Sequence, residues 1–322
     1  MKISTLLFRY ISAVAVILAL TGLPLHAVLV WQEGFTGQIV GEPPSHEYVS
    51  GKQNVWAEIA GVSDTSFATI SDIGNPGNSL HLQDTSTTGN VTAIARLNRM
   101  AAFDTSKPEQ SVLKLDFDMR IDASSNGTDG PGVQLYSTTS NSIITIGFGV
   151  FKDEDGTSYN TLFAGRGGRP AITAENAVGR TGNGTWEEGF DFGVYDSATS
   201  NKNNTGGFLH FELTYIDQSQ TATLIVTNGA NSASITITGI TPATWSSTLG
   251  NSFSIRAYSS GISDLYVDNF NLSTIPVPIP EPRTAALLLG AGMPGILLVA
   301  RRLLPRNKKK TTPTGTLPPP SP

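Results

Sequence analysis

Alternation of apolar and polar positions runs through the middle of the chain. The clearest case is SVLKLDFDMRID (residues 111–122), in which apolar side chains fall on one face and charged ones on the other. Successive side chains of a strand point to opposite faces of its sheet, so this period of two predicts a strand with one buried face. FLHFELTYI (208–216) repeats the pattern. Asp217–Gln220 then turns the chain into TATLIVTNG (221–229), and the two runs predict a β-hairpin.

Further short runs of the same kind follow the turns of the chain. They are NSIITIGFGVF (141–151), SITITG (234–239), SFSIRAY (252–258) and DLYVDNFNLS (264–273). Long runs with the helical period of 3.6 are absent from the sequence. Many short strands joined by Gly- and Asn-rich turns predict an all-β fold, an antiparallel β-sandwich. Such sandwiches reach about 200–250 residues as one unit, so we predict a single domain over residues 28–274.

The first 27 residues have the parts of a secretory signal peptide. Lys2 and Arg9 supply positive charge, Tyr10–Leu20 is an apolar core, and Ala27 offers a small residue before a cleavage point. We therefore predict an N-terminal signal helix that is removed between Ala27 and Val28. An uncleaved N-terminal anchor is the alternative.

A second apolar segment, Thr284–Ala300, lies near the C-terminus and carries no charge over 17 residues. As a helix it would span roughly 25 Å, at the short end for a bilayer. Pro280-Glu281-Pro282 precedes it, and Arg301 and Arg302 open the basic run that follows. Basic residues favour the cytoplasmic side of a membrane, with the body outside. We predict a transmembrane helix over 284–300 and a disordered Thr- and Pro-rich tail over 311–322.

This order of a Pro-Glu-Pro motif, an apolar segment and a basic run resembles the PEP-CTERM sorting signal of Gram-negative bacteria, here over residues 275–310. The resemblance implies recognition by an exosortase, a membrane-embedded cysteine transpeptidase that would cut near Pro280-Glu281-Pro282. The protein would pass through the export machinery, be anchored briefly in the inner membrane, and reach the outer surface or the extracellular matrix. Two features depart from the pattern: residues 311–322 follow the basic run, and Pro294 interrupts the apolar segment.

Charge is segregated along the chain. Residues 28–279 hold 12 Lys and Arg against 25 Asp and Glu, a net charge of −13, whereas residues 280–322 have a net charge of +6. An acidic body repels phosphate groups, which argues against nucleic acid as a partner. It attracts divalent cations or, more simply, aids solubility outside the cell. The chain has no cysteine, which excludes disulfides and argues against a His/Cys zinc site.

Several stretches of the body resemble the concanavalin A-like and laminin-G-like jelly rolls. They are WQEGFTG (31–37), NSLHLQD (78–84), the hairpin of residues 208–229 and LYVDNFNLS (265–273). The resemblance implies a jelly-roll sandwich. A galactose-binding-like or other carbohydrate-module jelly roll fits nearly as well.

The apolar phase changes within LYVDNFNLS. Its apolar residues share one face before Asp268-Asn269 and the opposite face after it, which predicts a β-bulge there. By resemblance to jelly-roll modules, Asp268 would meet Glu33 of the first strand at a structural Ca²⁺ ion. The alternative is that Asp268 accepts hydrogen bonds from backbone N–H groups at the bulge. Asp153–Thr157 (DEDGT) lacks the other ligands of an EF-hand, and we predict an Asp-Gly turn there.

Candidate chemistry is sparse. Asp116 and Asp118 lie two residues apart and therefore on the same face of the predicted strand. Paired carboxylates of this kind can divide acid and base roles. WEEGFDFG (186–193) holds three more acids. Their spacing does not resemble E-x-D-x-x-E, the pattern of glycosidases with the concanavalin A-like fold. We therefore predict no catalytic residue. Aromatic side chains that could stack on sugar rings are Trp186, the main candidate because of its Gly-rich setting, and Trp56, Trp245, Tyr136, Tyr159 and Tyr195.

Together these features predict an exported, exosortase-sorted protein of the cell surface or extracellular matrix. Its body would be a non-catalytic module that binds extracellular polysaccharide or has a structural role. The alternative is a glycan-degrading enzyme, a glycoside hydrolase or lyase of concanavalin A-like fold. Paired acids that converge in a cleft beside aromatic rings would favour the enzyme, whereas a shallow face without acids would favour the binding module.

Overall fold

The computed structural model describes residues 28–44, 55–63, 65–86, 90–97, 112–124, 130–137, 142–168, 170–196, 198, 203–216, 219–240 and 253–275. All of them belong to the first of the two units into which the chain divides, Met1–Val277. Outside the described residues lie the predicted signal segment with Ala27, the predicted transmembrane segment 284–300, the tail 311–322 and the sorting residues Pro280, Glu281, Pro282, Arg301 and Arg302. Within these described ranges, no helix is long and apolar enough to cross a membrane.

Fourteen strands, and no α-helix, make up the regular structure of the described residues. In chain order they are β1 (Val28–Glu33), β2 (Val55–Ala60), β3 (Phe67–Ser71), β4 (Ser79–Asp84), β5 (Asn90–Leu97), β6 (Val112–Ser124), β7 (Gly132–Ser137), β8 (Ser142–Lys152), β9 (Ser158–Arg166), β10 (Leu209–Ile216), β11 (Thr221–Asn228), β12 (Asn231–Ile237), β13 (Phe253–Ser260) and β14 (Ser263–Ile275).

The strands form two antiparallel sheets. The first has the order β12-β11-β10-β6-β14-β4-β3, with β1 as an eighth strand paired to β14. The second has the order β2-β5-β13-β7-β8-β9. Buried residues of both sheets make up one hydrophobic cluster, so the sheets pack face to face. The predicted all-β antiparallel sandwich is confirmed.

An aromatic cluster joins the two sheets in the core. Phe117 of β6 stacks on Phe211 of β10 and on Phe270 of β14, with ring centroids 4.9 Å and 5.5 Å apart. Trp31 of β1 lies against Trp56 of β2, with centroids 6.1 Å apart and the planes at 68°. Offset and edge-to-face contacts are the preferred geometries of aromatic pairs. Truncating one of these rings to alanine typically costs about 3–5 kcal/mol of folding free energy.

The main predictions about local structure hold. The run of residues 111–122 forms β6, whose inward residues are buried and whose outward residues are largely half-exposed. The predicted hairpin is formed by β10 and β11, which pair from His210↔Thr227 to Ile216↔Thr221. The chain turns between β8 and β9 at Gly156, whose φ of 87° suits glycine. One candidate was wrong: Trp56 has no exposed surface, because its ring fills the core between the sheets and cannot stack on a ligand from solvent.

β14 changes its neighbour along its length. Up to Val267 it pairs with β4, and from Phe270 onward it pairs with β1, while β6 follows it on the other side. The register against β6 shifts between Asp268 and Asn271, and Asn269 has a left-handed φ of 52°. The predicted β-bulge at Asp268-Asn269 is therefore confirmed.

Candidate functional site

Asp268 accepts two backbone hydrogen bonds at the bulge. The N–H of Asn75 donates to Oδ2 over 2.9 Å, and the N–H of Asn269 donates to Oδ1 over 2.7 Å. The Asp268 side chain has no exposed surface. Burial raises the pKa of its carboxyl to about 6, and the negative charges of Asp118 and Glu33 add to that rise while the two N–H donors oppose it.

Asp118 of β6 lies directly opposite Asp268 and gathers side chains from three elements. Its Oδ1 lies 2.7 Å from Nδ1 of His210 on β10. Its Oδ2 accepts from Nδ2 of Asn269 at 2.7 Å and from Nδ2 of Asn75 at 3.3 Å. We call Asn75, Asp118, His210, Asp268 and Asn269 the bulge network. Its hydrogen bonds hold the loop that carries Asn75 against β14 and β6.

The acid pair that the sequence singled out on β6 does not act together. Asp118 belongs to the bulge network, whereas Asp116 pairs with Lys114 at 3.2 Å. Lys114 in turn reaches Glu212 of β10 at 2.8 Å, and this pairing lowers the pKa of Glu212. Asp116 thus belongs to a row of alternating charges on the outer sheet face, where such pairs contribute little to stability.

Glu33 lies at the end of β1, beside the bulge. Its Oε1 accepts from the N–H of Phe35 at 2.8 Å and from Nε2 of Gln38 at 3.4 Å. Burial raises the pKa of its carboxyl. In the part of the chain that the structure describes, no group of three or more His, Asp or Glu side chains is arranged to hold a metal ion. Asp268 makes the backbone hydrogen bonds of the alternative interpretation, and the calcium ion between Glu33 and Asp268 stays a prediction.

A polar cleft of about 610 Å³ lies between the β8–β9 turn, the segment 174–187 and β12. We call it the Arg180 cleft. The polar side chains that line it are those of Asp153, Glu154, Glu175, Arg180, Thr181, Asn183, Glu187, Ser234 and Thr236. β12 is an edge strand of the first sheet as far as the described residues go, so none of the described strands pairs with the other side of its backbone.

Arg180 is held by an ion pair and by three aromatic rings. Its Nη2 forms an ion pair with Asp153 Oδ2, and only 5% of its side chain is exposed. The guanidinium carbon lies 5.2 Å from the ring centroid of Trp186, 5.3 Å from that of Phe151 and 5.9 Å from that of Tyr159. Cation–π contacts of this kind strengthen when the cation is desolvated. Three aromatic rings and one carboxylate thus fix Arg180 in place.

Trp186, the predicted stacking residue, lies against this cation. A β-bridge joins Arg180 and Trp186 across a tight turn, and Gly184 in that turn has a φ of 78° that favours glycine. The turn is closed by Thr181 and Thr185, whose hydroxyls lie 2.8 Å apart. One role of the Trp186 ring is therefore to hold Arg180 at the cleft, and direct stacking on a sugar stays a prediction.

Sequence reasoning missed most residues of both sites. Asn75 reaches Asp268 across 193 residues of chain, and no local pattern indicates such a contact. The Arg180 cleft is built largely by a segment without strand periodicity, in which the signal was composition: glycines and acids crowd around Trp186 in TGNGTWEEG. That signal pointed to Trp186 but not to Arg180, the residue on which its ring packs.

Comparison with known proteins gives a likeness of fold and no family. No family model and no curated protein matches the sequence. A carbohydrate esterase from Shiga toxin-encoding bacteriophage phi24B is 8% identical, with 78% of this chain and 100% of that chain covered and a TM-score of 0.41. The alginate lyase from Klebsiella pneumoniae is 11% identical, with 66% and 86% covered and a TM-score of 0.37. Lectin I from Ulex europaeus is 15% identical, with 65% and 91% covered and a TM-score of 0.36. At these TM-scores the likeness carries no argument about ligand or activity.

Proposed function

We propose that this protein is an exported glycan-binding module that takes a polysaccharide chain into the Arg180 cleft without cleaving it. The observation that carries the proposal is the cleft itself, about 610 Å³ in volume and lined by side chains that both donate and accept hydrogen bonds. Sugars present hydroxyl groups of both kinds, and specific small-ligand sites bind them through a few well-placed polar groups. The exposed side chains of Asn183, Ser234 and Thr236 supply such groups. The ion pair of Arg180 with Asp153 holds the wall of the cleft in place.

The edge strand adds a second binding surface to the cleft. Ser234 and Thr236 of β12 are exposed there, and among the described strands β12 pairs with β11 on one side only. Free backbone N–H and C=O groups along an edge form a regular row of donors and acceptors. An extended chain with regularly repeated hydroxyl groups suits such a row.

The second candidate is a glycan-degrading enzyme, and one observation favours it. Asp153, Glu154, Glu175 and Glu187 all line the same cleft, and the aromatic cage of Arg180 lies beside them. Glycoside hydrolysis uses two carboxylates, one of them as acid and the other as base or nucleophile. Asp153 is already paired with Arg180, so the acids available for such a role are the three glutamates.

A blocking substitution tests the binding proposal. A Cβ at Gly182 would meet no atom within 4 Å, and Gly182 lines the cleft, so Gly182→Tyr should fill the cleft while the fold persists. The control is Gly207→Tyr, because a Cβ there also meets nothing within 4 Å and the residue lies outside the cleft. We expect Gly182→Tyr, and not Gly207→Tyr, to lose binding on a glycan array at an unchanged melting temperature.

The same array separates the two candidates. Each bound glycan is incubated with the protein, and its chain length is measured before and after. Unchanged chains support the binding module. Shortened chains would support the enzyme in place of the binding module, provided that Glu175→Gln or Glu187→Gln stops the shortening.

The sorting residues and the signal complete the proposal. Export through the N-terminal signal and processing near Pro280-Glu281-Pro282 by an exosortase would place the module at the outer surface of a Gram-negative cell, where extracellular polysaccharide is present. The support is the sequence order of the C-terminal segments, and the deletion that tests it is argued in the Discussion.

A further inference from the structure

The lining of the Arg180 cleft is strongly acidic. Among the described residues, four carboxylates line it, those of Asp153, Glu154, Glu175 and Glu187, against one cation, that of Arg180. The side chains of Asp153 and Arg180 neutralise each other in an ion pair. The three glutamates are left as a net negative charge in one cleft.

The three glutamates are not neutralised by ion pairs with described residues. Glu154, Glu175 and Glu187 are exposed, and none of the three forms an ion pair with a described residue. Glu212 and Asp116, by contrast, share Lys114, and Asp122 is paired with Arg120. Like charges that face one cleft repel one another, and an incoming cation relieves that repulsion.

The rest of the cleft suits hydroxyl groups and not a compact ion. Asn183, Thr181, Ser234 and Thr236 add neutral donors and acceptors along its length. Gly182 is exposed there, with open space where a side chain would lie, so the cleft has room for a ligand at this position. A ligand with many hydroxyls and scattered positive charges would use both parts of the lining.

The body as a whole repels polyanions. Its net charge of −13 over residues 28–279 opposes the approach of polyuronates and sulfated glycans over distances of about a Debye length, roughly 8 Å at physiological salt. The net negative charge of the body and the acids that line the cleft therefore both disfavour anionic glycans.

We propose that the Arg180 cleft selects glycans that carry free ammonium groups, such as chains of de-N-acetylated amino sugars, over neutral glycans and against polyuronates. The proposal rests on the proposed function, because it names the class of polysaccharide that the same cleft takes. Its ammonium groups would lie against Glu154, Glu175 and Glu187, and its hydroxyls against the neutral side chains of the lining.

The test compares three oligosaccharides of equal length on the full-length protein. They are hexamers of glucosamine, of glucose and of galacturonic acid, measured by calorimetry at about pH 5.5, above the ordinary Glu pKa of about 4.3. EDTA is present throughout, so that divalent ions cannot bridge two acids. We expect the glucosamine hexamer to bind most tightly, the glucose hexamer more weakly and the galacturonate hexamer not at all. Raising the salt to about 1 M should reduce the preference, because the Debye length falls to about 3 Å.

Charge-removing variants locate the preference in the cleft. Each exposed carboxylate should contribute roughly two- to fivefold to the affinity for the glucosamine hexamer. Glu175→Gln combined with Glu187→Gln should therefore weaken that affinity by roughly four- to twenty-five-fold, and by more than it weakens the affinity for the glucose hexamer. Glu188→Gln is the matched control, since Glu188 is exposed and adjacent in sequence but does not line the cleft.

The outcomes separate the two proposals. Equal affinity for the glucose and glucosamine hexamers, tighter binding of galacturonate, or no effect of the double variant would overturn the selectivity. If any hexamer binds and Gly182→Tyr abolishes that binding, the glycan-binding function is still supported. If none of the three hexamers binds, the selectivity is wrong, and the glycan array with Gly182→Tyr and Gly207→Tyr alone decides the glycan-binding function.

Discussion

Asp268 shows how one buried carboxylate can organise a strand junction. A buried acid without partners is costly, and hydrogen bonds from N–H groups offset part of that cost. Here the donors are the backbone N–H groups of Asn75 and Asn269, and the opposing residue Asp118 is itself held by amide groups. The remaining cost is visible in the raised pKa of Asp268.

That pKa predicts an unusual pH dependence of stability. The pKa of Asp268 in the folded state is about 6, above the ordinary aspartate value of 3.8, so the folded state binds a proton more tightly than the unfolded state. Ionisation of Asp268 therefore lowers the free energy of unfolding. As the pH falls from about 7 to about 4 and Asp268 becomes protonated, the free energy of unfolding should rise by on the order of 2–3 kcal/mol. Urea unfolding across this range should show the rise in the wild type relative to Asp268→Asn. A difference between the two proteins that stays flat with pH would contradict the prediction.

The residue scale was only partly predictable from the sequence. The change of apolar phase in LYVDNFNLS located the bulge at Asp268-Asn269, because a strand with one buried face cannot change phase without an extra residue. The partners Asn75, Asp118 and His210 could not be predicted, because they come from other strands and loops. Trp186 was singled out by composition, but the ion pair of Arg180 with Asp153 depends on a tertiary contact.

At the scale of elements, β1 and β4 share one side of β14, and the bulge lies where one gives way to the other. The alternation of residues 111–122 and 208–216 sufficed to predict β6, β10 and the β10–β11 hairpin, since each has one face in the core. The order of strands in the sheets was beyond the sequence, because β6, β10 and β14 are neighbours through contacts distant along the chain. Glu33 and Asp268 are the predicted calcium ligands at this junction of β1 with β14.

A calcium ion shared by Glu33 and Asp268 would tie the first strand to the last. Binding to the native state alone stabilises it by about 2.7 kcal/mol at a hundredfold excess over Kd. For a domain above about 200 residues this corresponds to roughly 5–10 °C in melting temperature. EDTA should then lower the melting temperature of the wild type by that amount, and Asp268→Ala should abolish the effect of EDTA.

Hydrogen bonding alone gives a different pair of results. Asp268→Ala would leave the N–H groups of Asn75 and Asn269 without their acceptor and would cost about 1–3 kcal/mol, while EDTA would not change the wild type. A wild type that is insensitive to EDTA would remove the calcium ion and leave the bulge network in place.

At the scale of the whole molecule, an acidic sandwich carries its candidate binding cleft beside the edge strand β12, where an extended chain could enter from solvent. The predicted function requires such a surface to face polysaccharide outside the cell. The two terminal segments supply that requirement in the sequence, since one resembles a secretory signal and the other a sorting signal. Location and binding are therefore separable properties, each with its own test.

Deleting Pro280–Lys310 tests the location. The deletion removes the Pro-Glu-Pro motif, the apolar segment 284–300 and the basic run, and the other apolar segment is predicted to be removed after Ala27. We therefore expect the shortened protein in the soluble fraction of the periplasm or medium, with Val28 as its first residue by N-terminal sequencing. It should still bind the glycans that the full-length protein binds, because the Arg180 cleft lies wholly within residues 153–236. A shortened protein that still sediments entirely with membranes would rule out the sorting role of this segment, and an intact Met1 would rule out the cleaved signal.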